Sequence, residues 1–273
     1  MNKKITPLTV LASSLFVLAA CGGEEDAEGE DSQAITIGAT AGPYSDMVSV
    51  AIQPGLEEKG YDVEIQEFSD YVYPNQALAE EEIEANLFQH SIYLEDFKEE
   101  NDLELSGLIT VPTAPMGIYS EDYESLDDIE EGAEMAIPND PTNAARAFLM
   151  LEDADLIEFE DGIDELTASA HDITNNPLDL DFVELEAAQL PRQVGSSELT
   201  AVPGNFALGA DMDLLTALEL EDMPDQYRNV VAVRSEDEDS QLANDIEEII
   251  ESEEFEAVID EEFEGFGKPE WME

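Results

Sequence analysis

Aromatic, amide and histidine side chains are concentrated between residues 67 and 93 of this chain. The stretch holds three tyrosines, two phenylalanines and His90, in a protein whose other polar side chains are mostly carboxylates. Aromatic rings can form the walls of a pocket, and amides and an imidazole can orient a ligand by hydrogen bonds. Each ring could instead belong to the core, but turn signals at Ser69-Asp70 and Tyr73-Pro74-Asn75 favour loops, where binding groups are common. The stretch therefore predicts a ligand pocket.

A second candidate site lies at the start of a predicted helix. Asp140 is a suitable N-cap and Pro141 fits the first helical position, so Asn143 and Arg146 share one face of the opening turns. The helix dipole disfavours a cation at this end, whereas a guanidinium that binds a carboxylate ligand would have a purpose there. The alternative is a salt bridge to one of the many acidic side chains, and the residues alone favour neither.

Two asparagines lie beside predicted strands. Asn205 follows the strand at residues 199–202, and Asn229 precedes the strand at residues 230–233. Open α/β sheets bind ligands at strand ends, although most asparagines at such places only satisfy a turn. Both residues are therefore candidate ligand contacts.

Strand and helix patterns alternate along the chain, which predicts an α/β fold with parallel sheets. No phosphate-binding glycine motif follows the first strand, so the sequence predicts no nucleotide site and no cofactor. Further strands are predicted at 34–39, 63–68, 108–111, 116–119 and 181–185, and helices at 45–59, 75–82, 91–100 and after 239. We expect Asn75 to cap the helix at 75–82.

The N-terminus has the pattern of a bacterial lipoprotein signal. Two lysines precede an apolar run that ends in small residues directly before Cys21, the only cysteine of the chain. We expect residues 1–20 to be a signal peptide and Cys21 to carry lipid that anchors the protein outside the cytoplasm at the cell membrane. The alternative is an ordinary signal peptide with an incidental cysteine. Residues 21–34 are acidic and lack large apolar side chains, which predicts a disordered tether.

The charge of the chain is extremely negative. The sequence contains 9 Lys and Arg against 69 Asp and Glu, and removal of Lys3 and Lys4 with the signal peptide leaves 7 − 69 = −62. Such self-repulsion destabilises a compact state unless counterions screen it, so we expect adaptation to high salt. We expect no nucleic-acid partner, because no basic face is available to neutralise phosphates. The acids also lack the spacing of an EF-hand, which favours a solvated acidic surface over calcium sites.

Several stretches of the sequence resemble the methionine-binding lipoproteins of ABC importers, the NlpA/MetQ family. This resemblance implies a type II periplasmic-binding-protein fold, in which two α/β lobes are joined by two crossovers and the ligand lies in the cleft between them. It places lobe one at 35–113 plus 230–273 and lobe two at 114–229. The matching stretches are 68–94, 114–120, 137–151, 183–192 and 227–234.

The resemblance also implies the roles of individual residues. The methionine side chain and amino group would contact Tyr71, Phe88, His90 and Tyr93. The carboxylate would be held by Asn143 and Arg146, and Asn205 and Asn229 would complete the polar contacts. The chain departs from the family at Pro203-Gly204-Asn205, where members often have Asn-Gly-Asn.

The implied function is capture of methionine and its delivery to an ABC transporter permease with its ATPase. L-methionine, D-methionine and methionine-containing dipeptides all remain open as ligands. Alternatives are a receptor for another small amino acid or peptide, or a metal-binding receptor that uses His90 with carboxylates. Two histidines and an acylated cysteine are poor ligands for zinc, so we expect no metal site. We also expect no enzyme activity, because Ser91 beside His90 lacks a Gly-x-Ser-x-Gly elbow.

Overall fold

Short runs rich in apolar and β-branched residues form the strands of the protein, whose computed structural model describes residues 32–272. The predicted signal peptide, the lipidation site at Cys21 and the tether up to residue 31 lie outside the described residues. The strands are β1 Gln33–Thr40, β2 Tyr61–Phe68, β3 Ala85–His90, β4 Leu105–Val111, β5 Gly117–Tyr119, β6 Glu134–Pro138, β7 Glu158–Phe159, β8 Ile173–Asn175, β9 Asp181–Leu185, β10 Leu199–Val202, β11 Glu219–Leu220 and β12 Asn229–Arg234.

Local capping signals determine where most of the longer helices begin. As predicted, Asp140 is an N-cap whose Oδ1 accepts the Asn143 N–H at 2.9 Å, and Pro141 follows it. Ser240 and Ser252 cap two C-terminal helices in the same way. The helices are α1 Pro43–Met47, α2 Gln53–Glu58, α3 Tyr73–Ala79, α4 Ser91–Asn101, α5 Pro141–Asp153, α6 Gly204–Gly209, α7 Gln241–Ile250 and α8 Glu253–Glu262, with a π-helical turn at Val48–Ile52 between α1 and α2.

Two predictions of local structure were wrong. Asn75 does not cap α3, because the helix begins at Tyr73 and the Asn75 side chain is buried against Gln89. Asp70 instead supports the start of this segment, since its Oδ1 accepts the N–H groups of Val72 and Tyr73. β1 also begins at Gln33, so the last two residues of the predicted tether belong to a strand.

Ten of the twelve strands of the described residues form two five-stranded mixed sheets, which confirms the predicted α/β class, and β7 and β8 pair as a separate two-stranded sheet. Sheet one has the order β2-β1-β3-β12-β4, and sheet two has the order β11-β5-β10-β6-β9. The prediction of parallel sheets was wrong for β5 and β12, which run antiparallel to their neighbours. β5 and β12 are each the first strand after a crossover from the other sheet. Neither connection contains the α-helical return that joins parallel neighbours, so each strand enters its sheet from the opposite end.

Each sheet has its own apolar core. Sheet one packs against α1, α2, α7 and α8 through buried side chains such as Met47, Leu56 and Phe255. Sheet two packs against α5 through Phe148 and Leu151. Burial of each such large side chain stabilises the fold by about 1.5–3 kcal/mol. The chain crosses between the sheets after β4 and again after β11. The boundaries at residues 113 and 229 that the resemblance gives for the two lobes stay a prediction.

Candidate ligand-binding site

All eight residues predicted to contact a ligand line one cavity between the two sheets. The cavity is narrow, with a volume of about 20 Å³, which is room for about one water molecule. The prediction that these residues bind a ligand is therefore supported by their convergence, and the binding itself stays a prediction. The lining residues are Tyr44, Tyr71, Phe88, Gln89, His90, Tyr93, Thr113, Ala114, Asn143, Arg146, Pro203, Gly204, Asn205 and Asn229.

Sheet one positions His90 and Asn229 side by side. His90 ends β3, Asn229 begins β12, and the two are paired in the antiparallel register. The Asn229 N–H donates to Thr113 Oγ1 at 2.7 Å, which joins the start of β12 to the chain segment after β4. Both crossovers between the sheets therefore meet at the cavity wall.

A cluster of buried amides supports the same edge of sheet one. Asn75 Nδ2 donates to Gln89 Oε1 and Gln89 Nε2 donates to Asn75 Oδ1, both at 2.7 Å. Asn86 Nδ2 donates to the same Asn75 oxygen at 3.0 Å. These hydrogen bonds attach α3 to β3, so the amides that the sequence placed near a pocket act mainly by holding its wall. Gln89 is the one of the three that also lines the cavity.

The aromatic rings of Tyr71, Phe88 and Tyr93 form one side of the cavity, and Phe206 packs against Tyr71. The ring of Tyr71 lies 5.8 Å from those of Phe88 and Tyr93 and 4.9 Å from that of Phe206, between ring centroids. Tyr71 Oη donates to Asn205 Oδ1 at 2.6 Å, so this ring reaches from the side of sheet one to α6 beside sheet two. Such a wall suits an apolar or polarisable group.

His90 is held as a neutral imidazole with its proton on Nε2. Its Nδ1 accepts the Tyr93 N–H at 3.0 Å, so the N–H of the neutral ring is at Nε2, which lies 3.3 Å from Asn143 Oδ1. Burial and the nearby positive charge of Arg146 lower the pKa of His90 well below its usual value. His90 therefore presents no positive charge to the cavity at neutral pH.

Arg146 makes a buried salt bridge with Glu221. The guanidinium donates from Nε to Glu221 Oε1 at 2.8 Å and from Nη2 to Oε2, and Nη1 donates to Asn143 Oδ1 at 2.9 Å. Both side chains are only 5% exposed. Burial opposes the charge of Arg146, but the attraction of Glu221 outweighs it and raises the pKa of the guanidinium above its usual value. The sequence left open a surface salt bridge or an anion ligand, and the structure shows a salt bridge in the interior.

The salt bridge leaves part of the guanidinium available. An arginine has five N–H donors, and these contacts use three of them, so one N–H remains on each of Nη1 and Nη2. Arg146 lines the cavity, and a guanidinium with free N–H groups binds a carboxylate well. The salt bridge is therefore compatible with the predicted carboxylate contact.

Asn229 contributes a donor without a partner. Among the described residues its Nδ2 is one of a few buried side-chain atoms that make no hydrogen bond. A buried unpaired donor costs about 1–3 kcal/mol, and such a group is often retained because a ligand satisfies it. Asn205 differs, since its amide already contacts Tyr71 and lies 3.4 Å from Thr40 Oγ1. Asn205 belongs to the first turn of α6 and not to an isolated turn.

Sequence reasoning missed several residues of the site. Tyr44 and Thr113 line the cavity, and Glu221 pairs with Arg146. Glu221 lies in an acidic segment in which no local pattern distinguishes one carboxylate from another. Within residues 32–272, no group of three or more His, Cys, Asp and Glu side chains is placed to hold a metal ion. In that same range, no helix combines the length and apolar character needed to cross a bilayer.

The fold has two mixed β-sheets with packed helices, joined by two crossovers, and a cavity lies between the sheets. This architecture defines the class of periplasmic substrate-binding proteins. The sequence profile of the NlpA lipoprotein family matches residues 35–271, and this chain belongs to that family. It is a family of substrate-binding proteins for transport and not of enzymes.

Named relatives agree with this assignment. The chain is 32% identical over 272 residues to the D-methionine-binding lipoprotein MetQ of Salmonella typhi, covering 98% of each protein. It is 34% identical to the methionine-binding lipoprotein MetQ of Bacillus subtilis, covering 91% of this chain and 92% of the relative. A solved nutrient binding protein from Burkholderia cenocepacia, bound to methionine, superposes with a TM-score of 0.80 at 34% identity, covering 85% of this chain and 97% of the other.

Proposed function

We propose that this chain captures methionine outside the cytoplasm and delivers it to an ABC transporter permease with its ATPase. The observation that carries the proposal is the single cavity in which a guanidinium with two available N–H donors lies near a wall of aromatic rings. The names of relatives that bind methionine or D-methionine support it.

The cavity suggests how the ligand is held. The ligand carboxylate accepts hydrogen bonds from Nη1 and Nη2 of Arg146 and from Asn229 Nδ2, which otherwise has no partner. The thioether packs on the rings of Tyr71 and Phe88, since sulfur makes favourable contacts with aromatic groups. The ammonium group meets only neutral acceptors and ring faces, because Arg146 is the single charged side chain among the described lining residues once His90 is neutral.

Entry of the ligand requires an opening motion. A cavity of about 20 Å³ is much smaller than an amino acid, and the hydrogen bond between Tyr71 and Asn205 closes it from one side to the other. We infer that lobe one, at 35–113 plus 230–273, and lobe two, at 114–229, separate about the two crossovers and close on the ligand. The hydrogen bond between Tyr71 and Asn205 then connects the two lobes in the closed state.

Anchoring at the membrane completes the proposed function. A lipid on Cys21, after removal of residues 1–20, keeps the receptor near the transporter, and the acidic tether gives the binding domain room to reach it. Mass spectrometry of the N-terminal peptide from membranes tests this directly. A diacylglycerol-modified Cys21 is expected, whereas unmodified peptide released to the medium would contradict the anchor.

Native mass spectrometry of the protein as purified tests the ligand. We expect a fraction of the protein to carry one added mass equal to methionine, and addition of L-methionine to convert the rest. D-methionine and methionyl dipeptides are compared in the same way. A bound mass that belongs to a different amino acid or peptide would identify the receptor with another ligand, and complete absence of binding to all of these compounds would contradict the proposal.

A further inference from the structure

Glu221 compensates the positive charge of Arg146 beside the cavity, although it is not one of the lining residues. Its carboxylate accepts two hydrogen bonds from Arg146 and one from the Met116 N–H at 3.0 Å, and its side chain is 5% exposed. These three N–H donors occupy both oxygens of the carboxylate, and the salt bridge places it directly against the guanidinium. Arg146 and Glu221 therefore form a pair whose charges sum to zero next to the cavity.

Because the Arg146–Glu221 pair has no net charge, the net charge of a ligand affects how strongly it binds. Charge in a buried site is costly unless it is compensated, so a ligand with a net charge of −1 leaves one uncompensated negative charge beside Glu221. A zwitterion adds no net charge. Asp140 brings a further carboxylate close to the cavity, because its Oδ1 accepts from the Asn143 side chain beside Arg146, and this carboxylate also disfavours an anion. Arg146 alone would favour any carboxylate, with or without an ammonium group.

We propose that Glu221 is a specificity-determining residue that makes the cavity select zwitterionic amino acids over carboxylate ligands without an ammonium group. This inference rests on the proposed function, because it assumes that the carboxylate of the ligand meets Arg146. Glu221 acts through Arg146 and through its field in the cavity, and it needs no direct contact with the ligand.

The experiment compares two ligands that differ only in the ammonium group. L-methionine and 4-(methylthio)butanoate are titrated calorimetrically into the mature chain and into Glu221→Gln in molar KCl. The wild type is expected to prefer methionine, and Glu221→Gln is expected to reduce this preference by roughly tenfold or more, because the repulsion between Glu221 and the anionic ligand disappears. Glu221→Asp keeps the charge and should retain the wild-type preference even if both affinities fall.

Glu198→Gln is the matched control. Glu198 is also a partly buried carboxylate of lobe two that accepts a backbone N–H, from Glu134 at 2.8 Å, but it makes no contact with Arg146. Its substitution should leave the ratio of the two affinities unchanged. If Glu221→Gln folds poorly, Glu221→Ser is used, because the shorter neutral side chain leaves room for water beside the guanidinium.

The outcomes separate the two proposals. A wild type that binds neither ligand overturns the proposed function and this inference with it. A wild type that binds methionine, with an unchanged ratio of affinities in Glu221→Gln and Glu221→Ser, overturns the role of Glu221 alone. A fall in the ratio that Glu221→Asp restores supports it, and a structural role for Glu221 would change both affinities together.

Discussion

His90 connects the electrostatics of the site to the stability of the fold. Burial and Arg146 lower its pKa, so between that lowered value and about 6.5 the unfolded chain binds a proton that the folded chain does not. The contribution of His90 is complete above pH 6.5 and is lost as the pH falls toward the lowered pKa. We predict a decline of up to about 1.4 kcal/mol per pH unit in the free energy of unfolding.

Urea unfolding between pH 5 and pH 8 measures this decline. His90→Gln should show a smaller slope than the wild type, because the variant lacks the titrating imidazole. His171→Gln, which changes the exposed second histidine, should keep the wild-type slope. Equal slopes for the wild type and His90→Gln would show that His90 does not carry the effect.

Arg146 illustrates what could be predicted for individual residues. Its presence near a helix start in an acidic chain indicated an anion partner, and the structure places it in the cavity with His90, as the resemblance implied. The identity of Glu221 as its salt-bridge partner could not be predicted, since the two residues are separated by 75 positions and the chain offers 69 acidic side chains.

The N-cap of helix α5 also fixes a side chain of the binding site. Asp140 Oδ1 accepts from the Asn143 backbone N–H at 2.9 Å and from Asn143 Nδ2 at 3.0 Å. Asp140→Ala is expected to lower the free energy of unfolding by about 0.5–2 kcal/mol through loss of the cap. It should also weaken methionine binding, because the Asn143 side chain that contacts His90 and Arg146 is no longer fixed.

Chemical denaturation and calorimetry on two cap variants test this prediction. Ser252→Ala is the control, since Ser252 caps α8 by accepting the Phe255 N–H at 3.1 Å and lies outside the cavity lining. Both variants should lose comparable stability, but only Asp140→Ala should lose affinity. A comparable loss of affinity in both variants would refute a specific role for the cap of α5.

Elements defined by short-range signals were predicted well, and those defined by distant partners were not. The start of α5 follows from Asp140 and Pro141, which act within one turn. Asn75 has the same local signal as a cap, but its side chain pairs with Gln89 across 14 positions. The direction of β12 depends on a crossover from the other sheet, which no window of neighbouring residues contains.

Net charge governs the behaviour of the whole molecule. The expected mature charge of −62 is opposed by few cations; the lysines Lys59, Lys98 and Lys268 each already pair with an acidic side chain. Salt weakens such exposed pairs slightly but screens the far more numerous repulsions between carboxylates. We therefore predict that the melting temperature rises with KCl, most steeply at low concentration, because the screening length falls from about 30 Å at 0.01 M to about 10 Å at 0.1 M and only to about 3 Å at 1 M.

Thermal denaturation across a KCl series measures the effect. Sucrose at matched osmolality is the control, because it stabilises by exclusion from the surface without screening charge. A melting temperature that is independent of salt, or equal in sucrose and KCl, would show that repulsion between carboxylates is not the main source of instability at low salt.

One cavity is proposed to bind the carboxylate of methionine through Arg146 and Asn229, and calorimetric titration of the mature chain with L-methionine tests this most directly. We predict one binding site for the wild type and an affinity at least about tenfold weaker for Asn229→Ala, because the variant loses a hydrogen bond to a charged group and its Nδ2 has no hydrogen-bond partner among the described residues. Asn244→Ala, at an exposed site on α7, should bind as the wild type does. Absence of heat with L-methionine, D-methionine and methionyl dipeptides, or unchanged affinity in Asn229→Ala, would contradict this mode of binding.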